Sequence, residues 1–179
     1  MLLYFCMHLE IGVLMTTLVI ACAFGQQATN TAGPSNEAIG RVALQIKHQI
    51  VDAVISTQWE VEAYLKSIGE SADHVVSAYG TDSHYVTTEQ VFTRSLAFGE
   101  VTGISEVVIV AQPMHLMAIR LVVKEWINDP DIHFTREYDN LLRQIPFDRS
   151  EGNVQKWTRG PIRFGAYLVR AKLFGTHGS

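Results

Sequence analysis

Strand-like and helix-like segments alternate along most of this chain, and that alternation limits the fold more than any other feature. Five short runs are apolar and rich in β-branched residues, which is typical of strands buried in a sheet. We place these strands at residues 16–24, 52–56, 74–79, 106–111 and 132–136. Strands that alternate with helices form a mainly parallel sheet with helices on both faces. The sequence therefore predicts one α/β domain with about five strands and right-handed crossovers.

The helices between the strands are predicted from apolar spacing and from residues that start or stop a helix. Residues 57–60 and residues 87–90 have the form of capping boxes. Ser35 or Asn36 is suited to cap the first helix, and Pro113 suits the first turn of the fourth. We expect helices at about residues 36–50, 59–68, 88 to between 99 and 103, 113–128 and 160–174, with a mostly polar connection at 139–153.

The apolar N-terminal segment leaves four interpretations open. The run at residues 11–24 is shorter than the roughly 20 residues of a membrane span. Residues 19–22 resemble the cleavage motif of a bacterial lipoprotein, although no Lys or Arg precedes them as a secretory signal requires. The third interpretation is a buried first strand at residues 16–24, and the fourth adds that Met7 or Met15 is the true start.

We favour the buried strand, because without it the polar loop that follows Gly25 has no strand to leave. We therefore expect residues 1–14 to be an N-terminal extension or a disordered segment, and residues 15–175 to form a single domain. This interpretation favours a cytoplasmic protein, with association with the membrane or the cell envelope as the alternative.

Composition and missing motifs exclude several classes of function. Lys plus Arg number 14 against 18 for Asp plus Glu, a net charge of −4, so we expect no nucleic-acid partner. The two cysteines, Cys6 and Cys22, are too few for a disulfide framework or a cysteine-rich zinc site. The seven histidines lack an HExxH pair, so we expect no metal. The glycine-rich fingerprints of NAD and ATP sites and the GxSxG elbow of hydrolases are absent as well.

Candidate ligand-binding residues follow from the predicted topology. In a parallel α/β sheet, ligands bind beyond the carboxyl ends of the strands, at the switch in strand order. The loops at that edge are predicted at residues 25–35, 56–59, 79–88 and 112–115. The candidate ligand contacts in and beside these loops are Gly25, Gln26, Ser35, Ser56, Thr57, Gln58, Glu60, Thr87, Gln90 and Gln112. Helix capping explains several of them equally well, so both interpretations stay open.

His115 is the strongest candidate for a catalytic residue. It follows the best-defined predicted strand and lies in the first turn of a helix, whose positive end would lower the pKa of the ring and keep it neutral. A neutral ring suits a base, although a histidine satisfied by a nearby backbone group fits the pattern too. Glu89, in the first turn of the preceding predicted helix, is the second candidate catalytic residue.

Two further features are basic. Arg120 lies in the middle of an apolar predicted helix, and a charge there must reach a carboxylate or the surface. We take Arg120 as a further ligand contact, or as the partner of Glu62 or Glu89. Nearer the C-terminus, basic and aromatic residues share residues 156–172. That mixture fits contact with phosphate groups or an anionic membrane surface, and it also fits a solvated helix face.

The order of these motifs resembles the YdcF-like family, which includes the SanA and ElyC envelope proteins and has no established common reaction. The resemblance covers about residues 16–173. It is carried by short matches in the family's order: a strand ending at Gly25, Gly33-Pro34-Ser35 with Arg41, Ser56-Thr57-Gln58 followed by Glu60 and Glu62, Thr87-Thr88-Glu89-Gln90, a strand followed by His115, and Trp157-Thr158-Arg159. Thr57 and Gln58 replace the family's Gly-Gly, and Gln90 replaces its Asn.

The resemblance implies a Rossmann-like three-layer α/β sandwich and a small-molecule ligand that is nucleotide-like or carries phosphate. It adds S-adenosylmethionine as a candidate cofactor, since one member of the family is reported to bind it, and a methyltransferase-like protein as a lower-ranked alternative. Members that act in cell-envelope homeostasis imply the other main alternative, a non-catalytic envelope or interaction protein. Neither a reaction nor an oligomeric state is predicted.

Overall fold

A five-stranded parallel sheet forms the centre of the fold. The computed structural model describes residues 16–29, 31–77, 86–122 and 133–174. Its strands are β1 (Thr16–Ala21), β2 (Val54–Gln58), β3 (His74–Val76), β4 (Ile104–Val110) and β5 (His133–Phe134). They lie in the order β3-β2-β1-β4-β5, and all neighbouring pairs are parallel. The predicted Rossmann-like α/β fold with about five parallel strands is therefore confirmed.

Helices connect the strands and close the chain. Within the described ranges they are α1 (Pro34–Gln49), α2 (Trp59–Ser67), α3 (Thr88–Thr102), α4 (Pro113–Val122), α5 (Asp139–Leu142) and α6 (Pro161–Phe174), with a 3₁₀ helix at Lys156–Arg159. The predicted continuation of α4 to residue 128 lies outside the described residues, as do residues 78 and 79 of the predicted third strand. None of the helices described is both long enough and apolar enough to cross a membrane.

The first strand is buried from Thr17 to Ala21. Leu18, Val19, Ile20 and Ala21 have no exposed surface. A central strand of a parallel sheet is covered on both faces, which is why its sequence is a continuous apolar run without alternation. The expectation that the apolar segment supplies a buried first strand is therefore confirmed for residues 16–21. The predicted extension at residues 1–14 lies outside the described residues and stays a prediction.

One of the two predicted capping boxes forms. At the start of α3, Thr87 Oγ1 accepts a hydrogen bond from Gln90 N (3.2 Å), and Gln90 Oε1 accepts one from Thr87 N (3.1 Å). The box predicted at residues 57–60 was wrong. Thr57 belongs to β2, and its hydroxyl donates to the carbonyl of Ala21 at 2.7 Å, so it stabilises the sheet instead of the helix.

Two further boundaries differ from the prediction. α1 begins at Pro34 with Gly33 as its N-cap, so the predicted cap Ser35 lies inside the helix. The Ser35 hydroxyl donates to the carbonyl of Pro146 at 2.6 Å. The polar connection predicted at residues 139–153 contains α5 and a loop that returns to the start of α1. That returning loop shapes the edge of the sheet where ligands are expected.

Candidate functional site

The strand order reverses between β1 and β4, and in parallel α/β sheets a ligand crevice forms at such a reversal, at the carboxyl edge of the sheet. The chain leaves β1 through α1 to reach β2 on one side, whereas β4 lies on the other side of β1. Ala21 is in register with Thr57 of β2 and with Val110 of β4, so the three strands end at about one level. The residues that follow these strands therefore share one edge, as the topology predicts.

Unpaired polar atoms mark this edge. In the part of the chain that the structure describes, four buried side-chain atoms have no hydrogen-bond partner: Trp59 Nε1, Glu60 Oε2, His115 Nδ1 and Arg159 Nε. The first two directly follow β2, and His115 lies in the first turn of α4, after β4. Buried polar groups nearly always have a partner, so a group of unpaired ones indicates a place where a ligand or water binds.

Glu60 is a deeply buried carboxyl group at this edge. It is 5% exposed and lies in the first turn of α2. Burial raises the pKa of its carboxyl group to about 7, against a smaller opposing effect of the hydrogen bond from its own backbone N–H. A carboxyl group with that pKa can give or take a proton near neutral pH, which is the property that general acid–base catalysis requires.

His115 is neutral near pH 7, as predicted. Burial lowers the pKa of its imidazole to about 4. Its Nε2 atom lies 3.4 Å from Thr88 Oγ1, whereas Nδ1 is unpaired. The ring centroid is 5.5 Å from that of Phe24 and 6.3 Å from that of Phe164. These apolar rings keep water from the imidazole, which disfavours its charged form.

Gln58 and Gln112, two predicted ligand contacts, hold the ends of the strands. Gln58 Oε1 accepts a hydrogen bond from Ala23 N at 2.9 Å and so fixes the backbone that follows β1. Gln112 Oε1 accepts from Met114 N at 2.8 Å and from His115 N at 3.3 Å, which caps α4. Both side chains position the backbone around the crevice, and Gln112 positions His115 in particular.

The chain itself closes the loop after β1. Asp148 is fully buried and accepts hydrogen bonds from Gln27 Nε2 (2.7 Å) and Ser150 N (3.1 Å). A Cβ atom at Gly33 would lie 2.3 Å from Asp148 Oδ2, and one at Gly25 would lie 2.9 Å from it, so this close approach requires both glycines. In dinucleotide-binding folds a phosphate binds at this loop and helix N-terminus. Here the Asp148 carboxyl group occupies the neighbouring space.

Gly25 and Gln26, also predicted as ligand contacts, belong to this closed loop. Gly25 has a φ of +92°, and its carbonyl accepts a hydrogen bond from Asn36 Nδ2 at 2.7 Å. Gln26 N donates to Asn153 Oδ1 at 3.3 Å, and the Gln26 carbonyl accepts from Val154 N at 2.8 Å. The backbones of both residues are therefore bonded within the protein.

The hydroxyl groups predicted as ligand contacts also have partners in the protein. Ser56 Oγ lies 2.8 Å from His74 Nδ1 and 2.7 Å from Ser95 Oγ, in the interior between β2 and α3. The hydroxyl groups of Ser35 and Thr57 and the α3 capping box make the bonds described above. These side chains hold helix ends and strands in place around the crevice.

Glu89 and Arg120 lie outside the buried group. Glu89 is exposed on the first turn of α3. Arg120 Nη2 donates to both carboxylate oxygens of Asp139, at 2.9 and 3.1 Å, and so links α4 to α5. The expected partners, Glu62 or Glu89, were wrong, since Glu62 instead accepts a hydrogen bond from Ala72 N at 2.9 Å.

Aromatic rings pack against the crevice from the C-terminal segment, and the sequence did not predict this contact. The ring centroid of Phe24 lies 5.4 Å from that of Phe164, 5.9 Å from that of Trp157 and 5.8 Å from that of Phe147. The roles of Trp59, Asp148 and Arg159 were missed as well. The concentration of aromatic residues in the basic C-terminal segment was the one signal that pointed to this contact.

Two other kinds of chemistry receive no support from the described residues. Cys22, at the end of β1, is 1% exposed, and burial raises the pKa of its thiol to about 12, so it is not a nucleophile near neutral pH. No group of three or more His, Cys, Asp or Glu side chains in the described ranges is placed to hold a metal ion.

Most of the loop predicted at 79–88 lies outside those ranges.

No family model, curated protein or solved structure matches this chain. The resemblance to the YdcF-like family, with the ligands it implies, therefore stays a prediction. The function is therefore inferred from the geometry of the carboxyl edge.

Proposed function

We propose that this chain binds a nucleotide-like or phosphate-bearing small molecule at the carboxyl edge of its sheet, across the ends of β2, β1 and β4. The observation that carries the proposal is the group of unpaired buried atoms on Trp59, Glu60 and His115. Neighbouring strands lie about 4.8 Å apart, so the residues that follow β2 and β4 lie about 10 Å apart on either side of the end of β1. A small molecule is long enough to reach both.

The unpaired donors favour a ligand that is rich in acceptor atoms. Trp59 Nε1 and Arg159 Nε can only donate hydrogen bonds, so each needs an oxygen or another acceptor as its partner. Phosphate and ribose oxygens are such acceptors. The N-terminus of α2 has no side-chain cap, and its backbone N–H groups favour an anionic group as well.

Glu60 favours the nucleoside part of such a ligand. In dinucleotide-binding βαβ units an acidic residue bonds the ribose hydroxyls, and Glu60 directly follows the second strand of such a unit here. Because its pKa is near 7, the carboxyl group can also donate a proton to a phosphate oxygen, whose own second pKa is about 6. S-adenosylmethionine contains the same ribose and stays within this ligand class.

A non-catalytic envelope protein is the alternative function. The observation that favours it is α6, which carries exposed apolar and basic residues on one side. Ligand binding at the sheet edge without turnover would agree with both functions, so a turnover assay with the bound molecule separates an enzyme from a binding protein.

A thermal-unfolding screen of the full chain tests the proposed function. The probes are inorganic phosphate, AMP and S-adenosylmethionine, and we expect at least one of them to raise the unfolding temperature. A ligand at 100 times its Kd stabilises the folded state by about 2.7 kcal/mol, which such a screen detects easily.

Two pairs of variants locate the effect. Glu60→Gln and His115→Gln remove the groups at the edge and should lose most of the shift in unfolding temperature. Glu70→Gln and His133→Gln are the matched controls, because both residues are exposed and lie elsewhere, and they should keep the shift. Equal shifts in Glu60→Gln, His115→Gln and the parent chain would overturn the proposed site, and no shift with any probe would overturn the ligand class.

A further inference from the structure

The outward side of α6 presents apolar and basic residues to solvent. We define the α6 outer face as Ile162, Arg163, Ala166, Val169 and Arg170, all of which are exposed. Ile162 is 87% exposed and Val169 is 61% exposed, so two β-branched apolar side chains lie largely in water. Exposed apolar side chains that lie close together mark a surface that binds a partner outside the folded chain.

Helical geometry places these residues on one stripe. Ile162, Ala166 and Val169 are four and then three positions apart, so their side chains follow one side of the helix. Arg163 and Arg170 are seven positions apart and border that stripe. The opposite side of the helix is buried, since Phe164 is 1% exposed and its ring packs 5.4 Å from that of Phe24. α6 therefore has apolar residues on both sides: one set packs against the protein, and the other forms a stripe in the middle of the side that faces solvent.

The charge of this region is opposite to that of the whole chain. The net charge of the chain is −4, yet every charged residue between positions 156 and 172 is Lys or Arg. Lys156, Arg163 and Arg170 are exposed, so their positive charge faces solvent. An apolar stripe bordered by basic residues on an otherwise acidic protein fits a partner that is both anionic and apolar.

We propose that the α6 outer face docks on an anionic lipid surface, with α6 lying in the plane of the headgroups. A helix of this kind places its apolar stripe at the boundary of the acyl chains while its basic side chains bind anionic headgroups. Three apolar side chains are few for a stable protein interface, which buries at least about 1,200 Å². In a two-fold dimer through this face, the arginines of one copy would meet those of the other.

Co-sedimentation of the full chain with vesicles tests this proposal. We expect binding to phosphatidylcholine vesicles that contain phosphatidylglycerol, and much weaker binding to phosphatidylcholine alone. The double variant Arg163→Gln with Arg170→Gln should bind about thirtyfold more weakly, since each basic residue near an anionic surface contributes about fivefold. Raising the salt from about 0.1 M to about 1 M shortens the Debye length from about 10 Å to about 3 Å and should release the bound chain.

Matched variants separate this face from the rest of the molecule. Arg136→Gln with Arg143→Gln removes the same charge from exposed positions outside α6 and should bind like the parent chain. Ile162→Ser with Val169→Ser should weaken binding to the anionic vesicles without lowering the unfolding temperature, because both side chains are exposed.

Several results would overturn the proposal. Every variant keeps the apolar N-terminal residues of the chain, so unchanged vesicle binding by both α6 variants would assign the binding to another segment. Equal binding to the two kinds of vesicle, or no binding to either, would also contradict an anionic lipid partner. If Ile162→Ser with Val169→Ser instead abolished a dimer in vesicle-free solution, the face would belong to a second copy of the chain.

Discussion

A buried carboxyl group and a buried imidazole lie at the carboxyl edge of the sheet, and both favour their neutral forms. Burial raises the pKa of Glu60 to about 7 and lowers that of His115 to about 4. In each case the protein replaces the water that would solvate the charge. Between these two pKa values the folded chain holds two uncharged polar groups there, so a ligand that carries its own negative charge meets little repulsion from Glu60.

The two groups give opposite slopes of stability against pH. The folded pKa of Glu60 lies above its ordinary value of 4.5, so the free energy of unfolding falls by about 3 kcal/mol as the pH rises from 4.5 to 7. The folded pKa of His115 lies below its ordinary value of 6.5, so the free energy of unfolding rises by about 3 kcal/mol from pH 4 to pH 6.5. In the parent chain the two effects largely cancel.

Single substitutions should expose each slope. In Glu60→Gln we expect the free energy of unfolding to rise between pH 4 and pH 6.5, whereas in His115→Gln it should fall between pH 4.5 and pH 7. Urea unfolding at a series of pH values measures both. The double variant Glu60→Gln with His115→Gln is the control. Burial also lowers the pKa of His74, so His74 contributes the same pH dependence of unfolding to every variant, and the double variant measures it. A pH profile of Glu60→Gln that superimposes on the parent profile would contradict the raised pKa of the carboxyl group.

At the scale of residues, the sequence predicts where a residue lies in its helix or strand better than it predicts which distant residues pack around it. The place of His115 after the fourth strand and the capping box before α3 depend on neighbours in the sequence, and both were predicted correctly. The burial of Glu60 depends on segments that pack around it, so its raised pKa was not predicted. Asp148 gave no local signal for the same reason, since its partner Gln27 lies 121 positions away.

At the scale of elements, a glycine sets the packing of α1 on α2. A Cβ atom at Gly40 of α1 would lie 2.5 Å from Cδ1 of Tyr64 in α2. The guanidinium carbon of Arg41 lies 5.6 Å from the centroid of the Tyr64 ring. Because Gly40 has no side chain, α1 and α2 can approach closely. The Tyr64 ring then contacts both the Gly40 backbone and the Arg41 guanidinium group.

Gly40→Ala should destabilise the protein even though alanine is the better helix former. Overpacking costs about 1–3 kcal/mol, whereas the gain in helix propensity is at most about 1 kcal/mol. Gly165→Ala in α6 is the matched control, because nothing lies within 4 Å of its Cβ position, and it should stabilise by about 0.5–1 kcal/mol. Urea unfolding compares the two, and a Gly40→Ala variant as stable as Gly165→Ala would contradict the close packing of α1 on α2.

Element boundaries follow the sequence where the pattern is apolar and depart from it where pairing continues through polar residues. β4 begins and ends within two residues of its predicted apolar run, whereas β1 begins at the predicted Thr16 but ends at Ala21, three residues before the predicted end. β2 continues to Gln58 because Thr57 pairs with Ala21 of β1 and Gln58 pairs with Val76 of β3. Local propensity assigns those two polar residues to a helix cap, whereas the strands on both sides hold them in the sheet.

At the scale of the whole molecule, the order of the strands creates the candidate site. The alternation of strands and helices predicts parallel strands whose carboxyl ends share one edge, but it does not predict which strands are neighbours. The observed order puts β1 between β2 and β4, which sets Glu60 and His115 at the same edge, on either side of the end of β1. Long-range packing of the C-terminal segment then closes the loop after β1 through Asp148, and sequence patterns do not encode that contact.

Amide chemical-shift mapping of the full chain, titrated separately with AMP and with S-adenosylmethionine, tests most directly whether a ligand binds at the carboxyl edge. We expect at least one of the two to shift amide resonances mainly of residues 59–61 and 112–116, and we expect Glu60→Gln to lose those shifts while Glu70→Gln keeps them. Shifts confined to α6 or to the amino ends of the strands, or no shift with either molecule, would contradict a ligand site at this edge.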